Sequence, residues 1–496
     1  MSAKAWGFFV DSTLFYRLLK LLASKDIRAG KYLPMKKSHS LVFVVALLVL
    51  ATAGTIDLSN LYPYSTQTIP AYITKNNTPG NNAITDRGAT LGRVLFYDKQ
   101  LSLNNQTACA SCHLQAFGFS DTAIQSRGFD NGLTGRHSMR LVNARFGTSP
   151  RFFWDERALT LEAQTTQPIQ DHLEMGFSGT NGQPGIDSLL RKLAALPRYQ
   201  TLFPFVFGDA QITEARLQLA LAQFVRSIQS FDSKYDIGRA QVNNDAAPFP
   251  NFTAEENAGK ALYLAPPPAG GAGCQGCHRA PEFDIDPNTL NNGIIMRAGG
   301  VMGPDLTNTR APSLRNLFNP AGQLNGPMMH NGQFTTIEQV INHYNQVMVQ
   351  PVNTNIDPRL TGPGGNLQLT TTERAQLAAF LRTLTGNDVF TNPRWSDPFD
   401  ANGNITLVGA SSSLFSPAPE KMKVYPNPAS TFVKLDLPAG SYNVQMHDLQ
   451  GRLVFSQAAE AHEQLSLPPF AKGVLLVKAV SQASGKVFQA RLVVVD

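Results

Sequence analysis

The chain contains four cysteines, and all of them sit in two copies of one pattern: Cys109-Ala110-Ser111-Cys112-His113 and Cys274-Gln275-Gly276-Cys277-His278. Two thiols on one helical turn can each add to a haem vinyl group. The adjacent histidine then lies under the iron as its proximal ligand, so C-x-x-C-H is the attachment signature of c-type haem. A zinc site would need four ligands in paired spacing, and these two motifs are far apart in the chain. A thioredoxin-like C-x-x-C would not explain a histidine after both copies. The expectation is two covalently bound c-type haems, held by Cys109, Cys112, Cys274 and Cys277, with His113 and His278 as iron ligands. No cysteine remains for a structural disulfide.

The elements that must position these motifs are short helices separated by long loops. Leu91–Phe96 reads as a helix leading to the first motif, after an irregular Thr-, Asn- and Pro-rich stretch over 54–85. Residues 211–232 carry Leu217, Leu219, Leu221, Phe224, Val225 and Ile228 near helical period, with Thr213 as N-cap. A connector over 233–252 precedes the second haem domain, which opens on the capping box Thr253-Ala254-Glu255-Glu256. A second box, Thr335-Thr336-Ile337-Glu338, starts a helix to about 347, and residues 371–385 form a last amphipathic helix ending at Gly386. From Val424 the pattern changes to period two, as in Val433, Leu435 and Leu437 or Tyr442, Val444 and Met446, which predicts a small β-sandwich.

The 496 residues are 43% hydrophobic and 16% charged, which excludes a disordered chain and suggests roughly three domains. The net charge of +6 is spread thinly, without the basic run that nucleic-acid binding needs. Near the N-terminus Met35-Lys36-Lys37 precedes the apolar run Leu41–Leu50 and the small-x-small pattern Ala51-Thr52-Ala53, which together read as a secretory signal peptide. Met35 is then the expected true start, and the mature chain begins near Gly54. The expected organisation is an N-terminal extension and signal over 1–53, a first haem domain over 54–240, a second over 241–399, a Gly/Ser/Pro linker over 400–422 and the sandwich over 423–496.

Two segments resemble the dihaem bacterial cytochrome c peroxidase family, which includes the MauG-type enzymes. One is Phe153-Trp154-Asp155-Glu156-Arg157-Ala158 with Leu161-Glu162-Ala163-Gln164 and Glu174-Met175-Gly176. The other is Pro312-Ser313-Leu314-Arg315-Asn316 with Pro327-Met328-Met329-His330-Asn331-Gly332. The resemblance spans about residues 85–390. It implies a mainly α fold of two cytochrome-c-like helical haem domains facing a shared interface, here followed by the small C-terminal β-sandwich. Val424-Tyr425-Pro426-Asn427-Pro428-Ala429, with Asp448-Leu449-Gln450-Gly451-Arg452, resembles the type A sorting domain of the type IX secretion system. That implies contact with secretion machinery through residues 423–496, passage through the periplasm and delivery to the cell surface or the medium.

The family reduces hydrogen peroxide, or uses it to oxidise another protein. By resemblance, Glu174 moves a proton between the peroxide oxygens at the first haem, Gln164 lies beside it, and Trp154 bridges electrons between the haems. Other members also carry a distal histidine on the first haem; no histidine lies between His113 and His137, so the first haem is expected to be five-coordinate as made. His137 stands where the family has Asn, a position associated with a calcium ion at the domain interface. Glu156 stands where Gly is usual. At the sixth position of the second haem other members have Met, whereas MauG-type enzymes have Tyr, here Tyr344. Ile337, Val340, Ile341 and Tyr344 share one helical face, with Met348 as the alternative ligand. The expected function is a peroxide-dependent dihaem oxidoreductase. Its partner would be an electron donor such as a small cytochrome or cupredoxin, or a protein substrate. The alternatives are a dihaem electron-transfer cytochrome, or a surface binding protein with structural haems.

Overall fold

The computed structural model describes residues 54–495, apart from 286–287, 410–419, 449–451, 469–471 and 483–485. The expected signal segment, most of the expected linker and the centre of the Asp448–Arg452 loop lie outside the described residues.

In the first haem domain the described helices are α1 (Asp86–Tyr97), α2 (Cys109–Cys112), α3 (Leu161–Thr165), α4 (Ile186–Ala194), α5 (Pro197–Phe207) and α6 (Glu214–Ser227). Thr85 caps α1 by accepting from Gly88 N, and Thr213 caps α6 by accepting from Arg216 N. Helices α1 and α6 cross closely, burying Leu91, Val94, Leu95 and Phe96 with Leu217, Leu221 and Phe224. Gly92 permits this approach, since a Cβ there would lie 2.0 Å from the Ala220 carbonyl oxygen.

The second haem domain holds α7 (Lys234–Arg239), α8 (Ala254–Leu264), α9 (Ile337–Asn345) and α10 (Thr371–Arg382). The capping box Thr253/Glu256 forms as expected. The box at the start of α9 sits one residue later than expected, with Thr336 as N-cap and Gln339 closing it. Helices α8 and α10 repeat the α1–α6 device: a Cβ on Gly259 would lie 1.9 Å from the Gln376 carbonyl oxygen. Their core is aromatic, built from Tyr235, Phe249, Phe252, Tyr263, Phe283 and Phe380.

The chain does not leave the haem domains at residue 400. Val389, Phe390 and Trp395 return to the core of the first domain. Strand β1 (Thr55–Asp57) pairs in parallel with a strand from the expected linker. Chain order numbers that strand β4 (Thr406–Val408), after the short hairpin β2 (His278–Arg279) and β3 (Asp284–Ile285). The expected linker is thus partly structured, because burial of Trp395 and its neighbours holds the segment against α1 and α6.

The C-terminal part is a two-sheet sandwich. Its strands are β5 (Glu420–Lys421), β6 (Lys423–Tyr425), β7 (Phe432–Asp436), β8 (Ser441–His447), β9 (Leu453–Glu460), β10 (Gln464–Ser466), β11 (Gly473–Ser481) and β12 (Val487–Val494). One sheet has the order β10-β7-β6 and the other β5-β12-β11-β8-β9. Val433, Leu435, Val444, Met446, Leu475, Val477 and Leu492 alternate inward to fill the space between them. Helix accounts for 29% of the described residues and strand for 17%. Helical haem domains plus an all-β tail therefore describe it better than the expected mainly α class, because long loops take up much of each haem domain.

Candidate functional site

The first site is built on α2, which places Cys109 and Cys112 on one turn with His113 as its C-cap. The His113 Nδ1 lies 3.0 Å from the Phe119 carbonyl oxygen. Donation from Nδ1–H leaves Nε2 as the ring's metal-binding nitrogen. Burial lowers the His113 pKa, with the Phe119 carbonyl opposing, so the imidazole is held neutral as a ligand must be. Burial pushes the Cys109 and Cys112 thiols up to about 12, and the negative charge of Glu174 adds to the shift at both.

Glu174 is itself pushed up to about 7, by burial and then by Asp171, with Arg157 opposing. Its turn is fixed by Asp171 Oδ1, which accepts from Leu173 N at 2.8 Å and Glu174 N at 3.1 Å. The Phe129 N–H donates to the Glu174 carbonyl at 2.7 Å. Gly128 makes that approach feasible, since a Cβ there would lie 2.2 Å from the Leu173 carbonyl oxygen. Gln164 is half-buried on α3; Phe177 N donates to Ile169 O at 3.0 Å, tying the stretch after α3 to the residues after Glu174.

Trp154 joins the two domains. Its Nε1–H donates to the His137 carbonyl at 2.8 Å, and its own carbonyl accepts from Thr309 N at 2.9 Å and Arg310 N at 3.0 Å. Its indole meets the His330 ring edge-on at a centroid distance of 6.3 Å. Arg136 holds Asp305 through two hydrogen bonds of 2.8 Å and pairs with Asp155 at 2.7 Å, so a chain of alternating charge surrounds the bridge. Burial works to raise the Asp305 carboxyl, but the Arg136 guanidinium holds it at about 2.

His137 does not present its ring as a ligand. Nδ1 lies 2.9 Å from the Ala123 carbonyl oxygen, Nε2 lies 3.3 Å from Ser120 Oγ, and the backbone N–H donates to the His330 carbonyl at 2.7 Å. Burial lowers it to about 4 and keeps it neutral. Among the described residues no group of three or more His, Cys, Asp and Glu side chains is placed to hold a metal ion.

The second site is a cavity of about 780 Å³, within the usual range for small-molecule and cofactor pockets. Cys274, Cys277 and His278 line it, as do Ile337, Val340, Ile341 and Tyr344, the helical face expected of α9. Leu314, Leu317, Leu377 and Leu381 complete apolar walls, while Arg140, Arg310 and Arg359 supply positive charge of the kind that haem propionates require. The paired thiols, neutral imidazole and apolar walls fit a covalently held haem. Burial lowers His278 to about 4, opposed by the Pro312 carbonyl.

Tyr344 is in this cavity, and burial raises its phenol while the Asn292 amide works the other way. The Asn292 Nδ2 lies 3.3 Å from Tyr344 Oη and 3.4 Å from Met329 Sδ. Met348, the alternative ligand, is 72% exposed and is corrected: α9 ends at Asn345, and Gln346 breaks the helical φ/ψ, so Met348 no longer shares the Tyr344 face. His343 does not line the cavity, and its Nε2 bonds the Asn292 carbonyl at 2.9 Å. Asn292, Met329, His330 and Arg136 were not singled out from the sequence as ligands or site residues. Asn291-Asn292-Gly293 carries only a turn signal there.

Residues 86–243 match the profile of the di-haem cytochrome c peroxidase family, and residues 423–494 match the secretion system C-terminal sorting domain. The methylamine utilization protein MauG of Methylorubrum extorquens is 32% identical over 317 residues, which cover 62% of this chain and 80% of that protein. The cytochrome c551 peroxidase of Nitrosomonas europaea is 26% identical over 317 residues, covering 60% and 80% respectively. A solved MauG-like protein associated with microbial copper homeostasis superposes with a TM-score of 0.55 at 28% identity, covering 67% of this chain and 99% of the other. The chain therefore belongs to the di-haem cytochrome c peroxidase and MauG family and carries a type IX sorting domain at its C-terminus.

Proposed function

We propose that this protein is an exported di-haem oxidoreductase that reduces hydrogen peroxide, or uses it to oxidise an electron donor or protein substrate, in the MauG-like manner with Tyr344 as a ligand of the second haem. The observation that carries this reading is Glu174: a half-buried carboxyl whose charge acts on both cysteines of the first attachment motif and which is pushed up to about 7. When bound, c-type haem supplies an iron with coordination positions for ligands and electrons for breaking an O–O bond. As carboxylate, Glu174 takes the proton from one peroxide oxygen, and as acid it returns that proton to the oxygen that leaves as water. Gln164, half-buried on α3, would by resemblance offer an amide donor and acceptor at the same haem. Trp154 holds a fixed orientation between the domains through three backbone hydrogen bonds, as an electron bridge must. A phenolate oxygen from Tyr344 would stabilise oxidised iron, so both haems can remain ferric at rest without prior reduction.

Export is supported by the sorting domain at 423–494. The segment over 35–53 serves as the signal peptide in this reading. Among the described residues no helix is long and apolar enough to cross a membrane.

The test is stopped-flow spectroscopy of the all-ferric holoprotein mixed with peroxide, together with its EPR spectrum. A high-spin first haem and a rapid spectral change without reductant are expected. Two six-coordinate low-spin irons inert to peroxide would instead make the protein an electron-transfer cytochrome.

A further inference from the structure

Of the methionines lining the second cavity, Met328 turns its sulfur toward Arg140, 3.9 Å from Nη1. Met329 turns the other way. Its sulfur lies 3.4 Å from the same Asn292 nitrogen that stands 3.3 Å from Tyr344 Oη. Phenol oxygen and thioether sulfur are therefore within two hydrogen-bond lengths of one another, inside one cavity.

The orientation of that amide is fixed from its other end. Asn292 Oδ1 accepts from Ile294 N at 3.1 Å and from Asn308 Nδ2 at 3.4 Å, so the NH₂ group faces Tyr344 and Met329. Met329 also has a left-handed backbone, with φ +72°, a strained conformation for a side chain beyond glycine and one that clusters at functional sites. The turn is closed by Met328 N donating to Phe334 O at 2.7 Å and by Gly332 N donating to Met329 O at 3.1 Å.

We infer that Met329 is a reserve axial ligand of the second haem, taking the iron in place of Tyr344 when that iron is ferrous. The inference rests on the reading of Tyr344 as the ferric ligand. Phenolate favours ferric iron, whereas thioether coordination raises haem potential and so favours the ferrous state. When a one-electron reductant converts Fe(III) to Fe(II), the iron–oxygen bond breaks, Tyr344 takes one proton from solvent, and a sulfur lone pair of Met329 forms the new bond. Loss of one electron reverses each step. Asn292 donates to whichever of the two atoms is off the metal, and so holds it nearby.

The experiment compares holoprotein of wild type, Tyr344→Phe, Met329→Leu and the double variant. Haem content is checked by mass, ferric and ferrous spin states by EPR and magnetic circular dichroism, and the second midpoint potential by redox titration. Leu replaces Met with nearly conserved volume, so the cavity should survive. Tyr344→Phe should keep a low-spin second haem with a raised potential, and the double variant should turn it high-spin. Met329→Leu alone should leave the ferric spectrum unchanged and make the ferrous second haem high-spin. A high-spin second haem in Tyr344→Phe, or a low-spin ferrous haem in Met329→Leu, overturns the reserve-ligand proposal while leaving Tyr344 ligation intact. Identical ferric spectra for wild type and Tyr344→Phe would instead remove the reading of Tyr344 itself, and the proposal with it.

Discussion

The indole N–H of Trp154 donates to the backbone carbonyl of His137 at 2.8 Å. His137 belongs to the first haem domain, and its own N–H reaches the carbonyl of His330 in the second. Trp154 is therefore locked to both domains through main-chain groups, which do not titrate. Trp154→Phe removes this donor and leaves a carbonyl unpaired, a loss of about 1–3 kcal/mol. Thermal unfolding should register it. In stopped-flow traces the first haem should still respond to peroxide, while the response of the second haem slows.

Glu174→Gln should slow peroxide cleavage by about 10²–10⁴-fold, the usual contribution of a positioned acid–base group. Haem content should not change. An unaltered rate would make Glu174 a structural carboxyl.

The pH dependence follows from the same group. Taking a proton from peroxide requires the carboxylate, so the wild-type rate should fall as pH drops through about 7. The folded pKa is raised above the ordinary value of about 4.3, so the native state binds more protons between these values. Glu174 thus costs stability progressively as pH rises from about 4.3 to about 7. In Glu174→Gln both the kinetic step and this slope should disappear.

Gly92→Ala tests the helix crossing in the first domain. The added Cβ would stand 2.0 Å from the Ala220 carbonyl, against backbone rather than a movable side chain. Overpacking of this kind typically costs about 1–3 kcal/mol. Gly80→Ala, with nothing within 4 Å of the new atom, is the control and should leave the unfolding midpoint in place.

Mass spectrometry of matured protein should find two haems and a thioether at each of Cys109, Cys112, Cys274 and Cys277. In its own host the chain should start near residue 54 and be trimmed or modified within the sorting domain. Free thiols at either motif, or intact full-length chain in the cytoplasm, would contradict this.

Much of the chemistry was legible because it is local. Both C-x-x-C-H motifs and the Ile337–Tyr344 face depend on spacing within one turn or one helix. Met348 misled because its spacing continues the helical period, while the stop at Gln346 comes from a distant partner: Val347 N donates to the Gly365 carbonyl at 2.8 Å. Nothing near residue 346 announces that. Met329 was hidden for the complementary reason, since its place beside Tyr344 is set by Asn292, a residue distant in sequence. Trp395 lay in a stretch assigned to the second domain, and only its burial against the first reveals the returning chain. His137 was read as a substitution at a cation position, yet its ring is occupied by Ala123 and Ser120.

The parallel pairing of Thr55–Asp57 with Thr406–Val408 brings the two ends of the haem-bearing part together. Thr406 N donates to the Gly54 carbonyl at 2.5 Å, immediately after the expected signal cleavage point. The haem-bearing part is thereby a near-closed ring, with Gly54 and Thr406 side by side at its seam. The C-terminal sandwich fills its own core, separate from the core of the first haem domain. The same geometry makes the unit suited to circular permutation: a short link across the old ends, with new ends opened in an exposed turn such as Thr180–Gly182, should leave a chain that still takes up both haems.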